Sequence, residues 1–336
     1  MLKMKYIKRF PYVGYYLKTT DWKKYRKFLN FVATNHNVSK IKLIGDSFTS
    51  AISYNISLME YFLFRFWEKN ADERKQWAGT GFMYEYQLVM NPRRNRSTLL
   101  NKAKFLAYNA PFIAHRWFWV ENNNFERLGT FLAQINGKIV LKNVTGNCGI
   151  GVHIVDSSVE KTEDIIALAR KNNLTLAEEY IYQHKDLMRL SPSGLNTVRV
   201  FTQIVGDEVI ILGTRLRISV NAVVDNLAAG NLAAVVDEKT GVITKAAVYS
   251  DITKPPELLH PVTKVEIVGF QVPLWNEVIE KVHAIALHNK ENRSVGWDIA
   301  ITDSGVDFIE GNHDWCKLVY QLPAGQGFKK ELERRL

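Results

Sequence analysis

Two acidic residues and one asparagine near the end of the sequence are spaced as metal ligands. Asp298, Glu310 and Asn312 lie in a segment that contains two runs of alternating apolar residues. Such runs predict two β-strands, and the three residues 303–305 between them end in glycine, which is typical of a hairpin turn. Carboxylate and amide oxygens are the ligands that Mg²⁺ prefers in proteins.

The register of this hairpin decides which of its side chains meet. If Thr302 pairs with Val306, Asp298 lies opposite Glu310, and Asn312 lies two residues further along the same face. Two carboxylates about 5 Å apart repel each other, and a divalent cation between them would remove that conflict. A solvated acidic face is the alternative, but the apolar residues around both carboxylates indicate a buried element. The hairpin therefore predicts a Mg²⁺ site.

A glycine-rich segment earlier in the chain is suited to binding phosphate. Gly146, Gly149 and Gly151 lie between two β-like runs, and Lys142 ends the first of them. Glycine lets backbone N–H groups approach phosphate oxygens closely, and the lysine adds a positive charge. The segment lacks the Gly-Lys-Ser/Thr of a Walker A loop, so a plain glycine-rich turn is the alternative. Beside a Mg²⁺ site, phosphate binding is the better interpretation.

Three arginines on predicted strands have the chemistry to stabilise a transferring phosphoryl group. Arg215 and Arg217 are two residues apart and share a face of their strand, while Arg199 lies on an earlier strand. Guanidinium groups suit a polyphosphate or an acyl-phosphate, whose charge peaks in the transition state. Surface ion pairs with acidic residues such as Asp207 or Asp225 are the alternative interpretation.

The elements that must position these residues change in character along the chain. Residues 1–97 have apolar residues at helical spacing, which predicts a mainly helical region that ends at the polar stretch 91–97. Asp21 can cap one of its helices, and a second helix is expected after a turn at 45–47. From residue 98 onward, short β-like runs alternate with hairpin turns and helices. This pattern predicts an α+β fold rather than a doubly wound parallel sheet.

Composition and charge restrict the class of protein further. The 336 residues are 46% hydrophobic, which is enough to bury a sizeable core, and two cysteines provide no disulfide framework. No apolar signal sequence or membrane-spanning run is found, so a cytoplasmic protein is predicted. The net charge of +10 is concentrated in an amino-terminal segment that also carries aromatic residues. A solvated basic helix or peripheral contact with anionic lipid would explain it, and no nucleic-acid partner is expected because no binding signature is present.

Taken in chain order, these motifs resemble the ATP-grasp superfamily. The resemblance is closest to its sugar-transfer-associated group, which is found with bacterial surface-polysaccharide synthesis. It covers residues 101–321 and rests on the segments AEEYIYQH, LNTVRV, LRISVNAVVDNLAAGN, HPVT, VGWDIAIT and FIEGNHD. The ribosomal-protein-modifying glutamate ligases are more distantly similar. The resemblance implies two α+β lobes that clamp ATP, with residues 98–181 as the small lobe and 182–336 as the large lobe, preceded by the helical region 1–97.

The resemblance also implies a role for each motif residue. ATP phosphates would be contacted by Lys102 and Lys142 and covered by Gly146, Gly149 and Gly151. Adenine would be held by Glu178, Glu179, Tyr180 and Ile181, mainly through the backbone, with His184 on the ribose. Arg199 and Arg217 would face the γ-phosphate or acyl-phosphate, Asn226 would orient substrate or a metal-bound oxygen, and Asp298, Glu310 and Asn312 would bind Mg²⁺. One departure is that Gly230 is followed by Asn231, where the family often has a second glycine.

The activity implied is that of an ADP-forming ligase. ATP and Mg²⁺ would activate a carboxylate as an acyl-phosphate, which an amine or a thiol then attacks. The expected partners are small-molecule carboxylates and amine or sugar substrates in cell-surface polysaccharide modification, with possible contact to glycan-assembly machinery. A phosphotransferase on the same fold and a non-catalytic nucleotide-binding protein are the alternatives.

Overall fold

The computed structural model describes residues 10–145 and 151–335. They form an amino-terminal group of helices followed by two antiparallel sheets with helices around them. The helices are α1 (Phe10–Thr19), α2 (Trp22–Asn35), α3 (Lys40–Tyr54), α4 (Leu58–Leu63), α5 (Ala71–Arg74), α6 (Thr80–Met90), α7 (Ser97–Leu100), α8 (Lys102–Tyr108), α9 (Leu128–Ile135), α10 (Thr162–Lys171), α11 (Lys185–Leu190), α12 (Trp275–His288), α13 (Lys317–Gln321) and α14 (Lys329–Arg334).

The first four helices pack their aromatic faces into a core of their own. Asp21 caps α2 as predicted, because its carboxylate accepts hydrogen bonds from the backbone N–H groups of Lys23 and Lys24. The expected turn at 45–47 was wrong, since these residues lie inside the continuous helix α3. A glycine in a helix costs only about 1 kcal/mol, and here the buried faces of α3 and its neighbours outweigh it. The helix instead ends at Asn55, which adopts the left-handed conformation.

The described residues contain nine strands, which form a small sheet of four strands and a large sheet of five. They are β1 (Trp117–Trp119), β2 (Lys138–Lys142), β3 (His153–Asp156), β4 (Leu176–Glu179), β5 (Val198–Val205), β6 (Glu208–Ile218), β7 (Leu232–Val236), β8 (Ser294–Thr302) and β9 (Gly305–Asn312). The small sheet has the order β1-β4-β2-β3, and the large sheet has the order β7-β6-β5-β8-β9. All strand pairs within both sheets are antiparallel.

The large sheet separates an apolar face from a polar one. Val198, Leu216 and Ile299 belong to a core in which α12 packs on the sheet. Because side chains alternate along a strand, the neighbouring Arg199, Arg217 and Asp298 lie on the opposite face. Part of that face is covered by α6 and the carboxyl-terminal helices through a separate apolar cluster. The rest carries the charged residues that the sequence singled out.

The β8–β9 hairpin has the predicted strands but a different turn. Thr302 pairs with Gly305 instead of Val306, so the turn is one residue shorter than expected. The register then shifts between Asp298 and Ile299, and this irregularity in β9 restores the predicted pairing of Asp298 with Glu310. The turn prediction was wrong by one residue, whereas the pairing that matters for the site was right.

The α+β class expected from the sequence is confirmed by this architecture. The lobe boundaries at 97 and 181 stay predictions. Residues just after the first boundary contribute to the core of the large sheet, because Leu99 and Phe105 pack there with α12 and β8. The second boundary follows directly on β4, the strand that carries the predicted adenine-binding segment.

Candidate functional site

Asp298 is the central anion of the polar face of the large sheet. It lies on β8 opposite Arg199 of β5, and its Oδ2 accepts hydrogen bonds from Arg199 Nη2 at 2.6 Å and Arg217 Nη1 at 3.0 Å. All three side chains are nearly buried. Burial alone would raise the pKa of Asp298, but the two guanidinium groups outweigh burial and hold that pKa below its usual range. Asp298 is therefore ionised and fixed in place.

Asp225 is a member of this site that sequence reasoning did not assign to it. Its Oδ1 accepts a hydrogen bond from Arg217, and its Oδ2 accepts one from the N–H of Thr197 at 2.8 Å. Burial raises the pKa of Asp225, and Arg217 opposes that rise. Arg217 is thus held between two buried carboxylates, not in the surface ion pair that was the alternative. The signal available in the sequence was the position of Asp225 directly before Asn226, in the segment that follows β6.

Glu310 and Asn312 lie beside this arginine–aspartate group on β9. Glu310 pairs with Asp298 across the strands, and its carboxylate lies 3.7 Å from Lys102 Nζ. Lys102 opens α8, so the helix that follows the polar stretch brings it to the sheet. Asn312 pairs with Gly296, and its buried Nδ2 has no hydrogen-bond partner among the described residues. Glu310 and Asn312 therefore lie on the same strand beside the arginine–aspartate group, and both side chains carry oxygen atoms.

The donor set at the hairpin fits Mg²⁺ in chemistry. Mg²⁺ is usually held by one or two carboxylates together with substrate phosphates, and Asp298, Glu310 and Asn312 offer such oxygens. Within residues 10–145 and 151–335, no group of three or more His, Cys, Asp or Glu side chains is arranged to hold a metal by itself. The repulsion that led to the metal prediction is offset here by arginines and Lys102. The metal assignment stays a prediction that requires nucleotide phosphate to complete it.

Lys142 ends β2 on the small sheet and points to the same region. Its Nζ contacts the carboxylate of Glu178, which lies on the neighbouring strand β4. Burial lowers the pKa of Lys142 to about 8, while Glu310 acts to raise it and Lys102 to lower it further. The ammonium group is therefore still charged at neutral pH. Lys142 thus contacts Glu178, while the other predicted phosphate-binding lysine, Lys102, contacts Glu310.

The segment predicted to hold adenine leaves β4 as an extended chain. The side chain of Glu179 forms a two-bond ion pair with Arg116, which lowers the pKa of Glu179. The N–H of Tyr180 donates to the carbonyl of Lys138 at 3.1 Å. Neither the N–H nor the C=O of Ile181 has a hydrogen-bond partner among the residues described. An unpaired backbone donor and acceptor at this point suit the edge of a base.

The other predicted residues lie around these groups without contacting them. His184 caps α11 and lies 3.6 Å from Asp303 in the turn of the β8–β9 hairpin. The Oδ1 of Asn226 accepts a hydrogen bond from the N–H of Ala228, which shapes the loop after Asp225. Gly151 has a φ of +74°, a conformation that glycine adopts without strain. Gly146 and Gly149 lie outside the described residues.

Arg215 differs from the other two arginines. Its guanidinium group donates to the carbonyls of Thr214 and Tyr320 and lies over the Tyr320 ring. No ion pair with a carboxylate is found for it in the described part of the chain, and burial lowers its pKa to about 10. Arg215 therefore anchors the carboxyl-terminal helices to the sheet, while Arg199 and Arg217 contribute to the site.

The structure thus assembles one charged cluster from both sheets. We call the following residues the charged cluster: Lys102, Lys142, Glu178, Arg199, Arg217, Asp225, Asp298 and Glu310. Four of them are cations and four are anions, and they are joined in pairs by the contacts above. A cluster of this composition between two antiparallel sheets can exchange its carboxylate partners for phosphate oxygens.

A family comparison identifies the group to which this arrangement belongs. The model of the family described as sugar-transfer associated ATP-grasp matches residues 82–335. The chain belongs to this ATP-grasp family. The expected family is therefore confirmed. The expected activity of an ATP-dependent ligase, with ATP and Mg²⁺ as cofactors, is consistent with membership of this family. No curated protein sequence matches the chain significantly.

Solved ATP-grasp enzymes are similar to the chain at low sequence identity. The ligase PsnB, solved with the precursor peptide PsnA2 and AMPPNP, is 14% identical with a TM-score of 0.41, covering 73% of this chain and 62% of that one. N5-carboxyaminoimidazole synthase from Aspergillus clavatus, solved with ADP and 5-aminoimidazole ribonucleotide, is 12% identical with a TM-score of 0.41. This match covers 66% of this chain and 45% of that one. D-alanyl-alanine synthetase A from Vibrio cholerae is 14% identical with a TM-score of 0.40, and the match covers 72% of this chain and 62% of that one. The chain covers less than two thirds of each of these enzymes, and the family assignment rests on the family match alone.

Proposed function

We propose that this protein is an ATP- and Mg²⁺-dependent ligase that joins a carboxylate to an amine or a thiol through an acyl-phosphate, in the modification of bacterial cell-surface sugars. The observation that supports it is the charged cluster, in which Lys102, Arg199 and Arg217 contact carboxylates of the β8–β9 hairpin and Lys142 contacts Glu178 of the small sheet. The name of the family supports the sugar part of this proposal, and the charges of the cluster support phosphoryl transfer.

Some residues of the cluster would bind the nucleotide and the metal, and others would stabilise the transferring phosphoryl group. Lys102 and Lys142 would exchange their carboxylate partners, Glu310 and Glu178 respectively, for nucleotide phosphates. Glu310 and Asn312, with Asp298, would hold Mg²⁺ against those phosphates. When bound, ATP supplies the phosphoryl group and Mg²⁺ neutralises part of its charge.

Arg199 and Arg217 are placed to stabilise the negative charge that develops during transfer. Both are fixed by Asp298, so their guanidinium groups need little reorganisation when a phosphoryl group arrives. Their burial lowers the local dielectric constant and strengthens each interaction. We infer that the carboxylate substrate approaches from the side of Asn226, whose loop begins at Asp225 beside Arg217.

The first test is nucleotide-dependent thermal stabilisation. AMPPNP with Mg²⁺ should raise the melting temperature of the wild-type protein. Glu310→Gln should lose the Mg²⁺-dependent part of this rise, because it removes the negative charge of a carboxylate proposed to bind the metal. Glu163→Gln, an exposed position on α10, is the matched control and should behave as wild type. Stabilisation of Glu310→Gln equal to that of wild type at limiting Mg²⁺ would refute the metal assignment.

Product analysis then separates the ligase from its alternatives. Release of ADP and free phosphate that depends on both a carboxylate and an amine or thiol supports the ligase. A stable phosphorylated product without free phosphate would establish a kinase instead. AMPPNP binding with no turnover across a broad substrate screen would favour a non-catalytic nucleotide-binding protein.

We also propose that the outer faces of α2 and α3 contact an anionic membrane surface. No helix in the described part of the chain is long and apolar enough to span a bilayer. Three apolar side chains are nevertheless exposed there, Ile41 at 84%, Trp22 at 43% and Ile44 at 39%. The exposed basic residues beside them in sequence are Lys23, Arg26, Lys40 and Lys42. Apolar and basic side chains together favour the interface of an anionic bilayer.

Vesicle sedimentation tests this surface directly. The protein should bind vesicles that contain phosphatidylserine more than vesicles of phosphatidylcholine, and added salt should weaken binding because it screens the charges. The double variant Trp22→Ser/Ile41→Ser should bind less, while Ile154→Ser, a half-exposed position on β3, should not. Equal binding to both kinds of vesicle would refute the lipid partner and favour a protein of the glycan-assembly machinery.

A further inference from the structure

A buried histidine joins the two sheets behind the charged cluster. His115 lies two residues before β1, and its side chain is 3% exposed. Its Nδ1 is 2.7 Å from Oδ2 of Asp307 on β9, and its Nε2 is 3.1 Å from Oε1 of Glu178 on β4. Both carboxylates are as buried as the histidine. One imidazole ring therefore bridges a carboxylate of the large sheet and a carboxylate of the small sheet.

Asp307 accepts hydrogen bonds from the backbone as well as contacting the ring. Its Oδ1 accepts a hydrogen bond from the N–H of Ala114 at 2.9 Å, and its Oδ2 accepts another from the N–H of His115 at 3.1 Å. Together with the ring contact, these are three hydrogen bonds to one carboxylate. Hydrogen bonds of this kind favour the charged form of an aspartate. Asp307 thus fixes both the backbone and the ring of His115.

The contacts of the ring favour the protonated form of His115. A neutral imidazole donates from only one nitrogen and would direct a lone pair at the second carboxylate. An imidazolium donates to Asp307 and Glu178 at once. Because two buried carboxylates without a cation between them would be costly, the charged ring is the form that fits this site.

Glu178 shares its second oxygen with the predicted phosphate-binding lysine. Its Oε1 faces His115, while its Oε2 contacts the Nζ of Lys142. The order of charges is therefore Asp307, His115, Glu178 and Lys142, alternating in sign from the large sheet into the small one. Lys142 can turn toward a phosphate only by giving up some of its contact with Glu178. That movement would leave a buried carboxylate in need of another cation.

We propose that His115 is a positioning residue whose imidazolium keeps Glu178 ionised and in place when Lys142 moves from Glu178 to a nucleotide phosphate. This inference rests on the proposed nucleotide site but goes beyond it, since His115 itself touches no nucleotide. Without the charge on His115, the carboxylate of Glu178 depends on Lys142 alone. Glu178 then competes with phosphate for the same ammonium group.

Competition between Glu178 and phosphate for Lys142 predicts a pattern of nucleotide affinities among variants that a merely structural role of His115 does not predict. His115→Gln should weaken AMPPNP binding in the presence of Mg²⁺ by about tenfold or more, the order of effect for a buried charge left without its partner. Adding Glu178→Gln in the same chain removes the competing charge and should restore most of that affinity. His283→Gln on α12, whose side chain makes none of these contacts, is the control and should bind as wild type.

Titration calorimetry of these variants decides between the outcomes. Wild-type affinity for AMPPNP in His115→Gln would overturn the proposal. Equally weakened AMPPNP binding in the single and the double variant would also overturn it, because it would indicate a structural defect that neutralising Glu178 cannot repair. Thermal melts of each variant report whether the fold is retained. Absence of AMPPNP binding by the wild-type protein would refute the proposed function, which is a different result from binding that is insensitive to His115.

The charge state of His115 can be measured without any nucleotide. In protein labelled with ¹⁵N-histidine, the ring signals that disappear in His115→Gln belong to His115. Both of its ring nitrogens should carry a proton at pH 7, which the nitrogen chemical shifts report. A neutral tautomer would overturn the proposal even if the ligase activity were established.

Discussion

The charged residues of the cluster are held in pairs before any ligand arrives. Lys102 contacts Glu310, Lys142 contacts Glu178, and Arg217 lies between Asp225 and Asp298. Such pairs satisfy buried charges that would be costly alone, and they also fix where each cation lies. The cations are therefore positioned for a polyanion by the same contacts that stabilise the fold.

Asp225 is the residue through which this positioning can be tested. In Asp225→Asn, Arg217 keeps its bond to Asp298 but loses the second carboxylate, so its guanidinium group becomes less constrained. We expect the rate of ADP release to fall by about a hundredfold, since a small misplacement of a catalytic group costs that order of rate. The measurement is steady-state kinetics with the substrate pair found by product analysis.

Two readouts complete this experiment. Asp207→Asn, at the exposed turn between β5 and β6, is the matched control and should retain the wild-type rate. The melting temperature of Asp225→Asn shows whether the fold is retained. A wild-type rate in folded Asp225→Asn would mean that Asp298 alone positions Arg217 for the reaction.

Among the elements, the β8–β9 hairpin shows what local sequence can predict. Alternation of apolar and polar residues is a local property, so the two strands and the pairing of Asp298 with Glu310 were predicted correctly. The turn was wrong by one residue because a two-residue and a three-residue connection carry the same Asp-Ser-Gly signal. The irregularity opposite Asp298 has no signature in the sequence, and it compensated for that error.

The network around His115 shows what local sequence does not contain. Its partners Glu178 and Asp307 lie 63 and 192 residues away along the chain. Neither separation corresponds to a motif spacing, so His115 was not singled out as a site residue. The role of Asp225 was missed for a related reason, since its burial beside Arg217 depends on how the loop folds over β6. Motif residues were predictable here, and the residues that hold them were not.

Across the whole molecule, the amino-terminal helices are joined to the carboxyl-terminal segment rather than appended to the sheets. The side chain of Gln321 donates to the carbonyl of Ala78 and accepts from its N–H, which closes a reciprocal pair. Glu60 on α4 accepts hydrogen bonds from Thr80 and lies 2.9 Å from Nζ of Lys317. Because α13 also covers the polar face of the large sheet, the helical region is coupled to the strands that carry the site.

The ion pair of Glu60 and Lys317 measures this coupling. Glu60 is 3% exposed, and Lys317→Met would leave its carboxylate buried without the ammonium group. Burial alone would lower the pKa of Lys317, but Glu60 outweighs burial and raises it, as expected of a strong pair. We expect the free energy of unfolding to fall by about 3 kcal/mol, the usual cost of removing one partner of a buried pair. Chemical denaturation of the variant measures this change.

The matched substitution is Lys75→Met, which removes an exposed ion pair with Asp72 on α5 and should leave stability nearly unchanged. If the two regions unfold together, the transition of Lys317→Met should stay a single one and move as a whole. Two separate transitions in this variant would show that the helical region and the sheets are stable independently. In that case the contacts at Gln321 and Glu60 would join two units without making their folding cooperative.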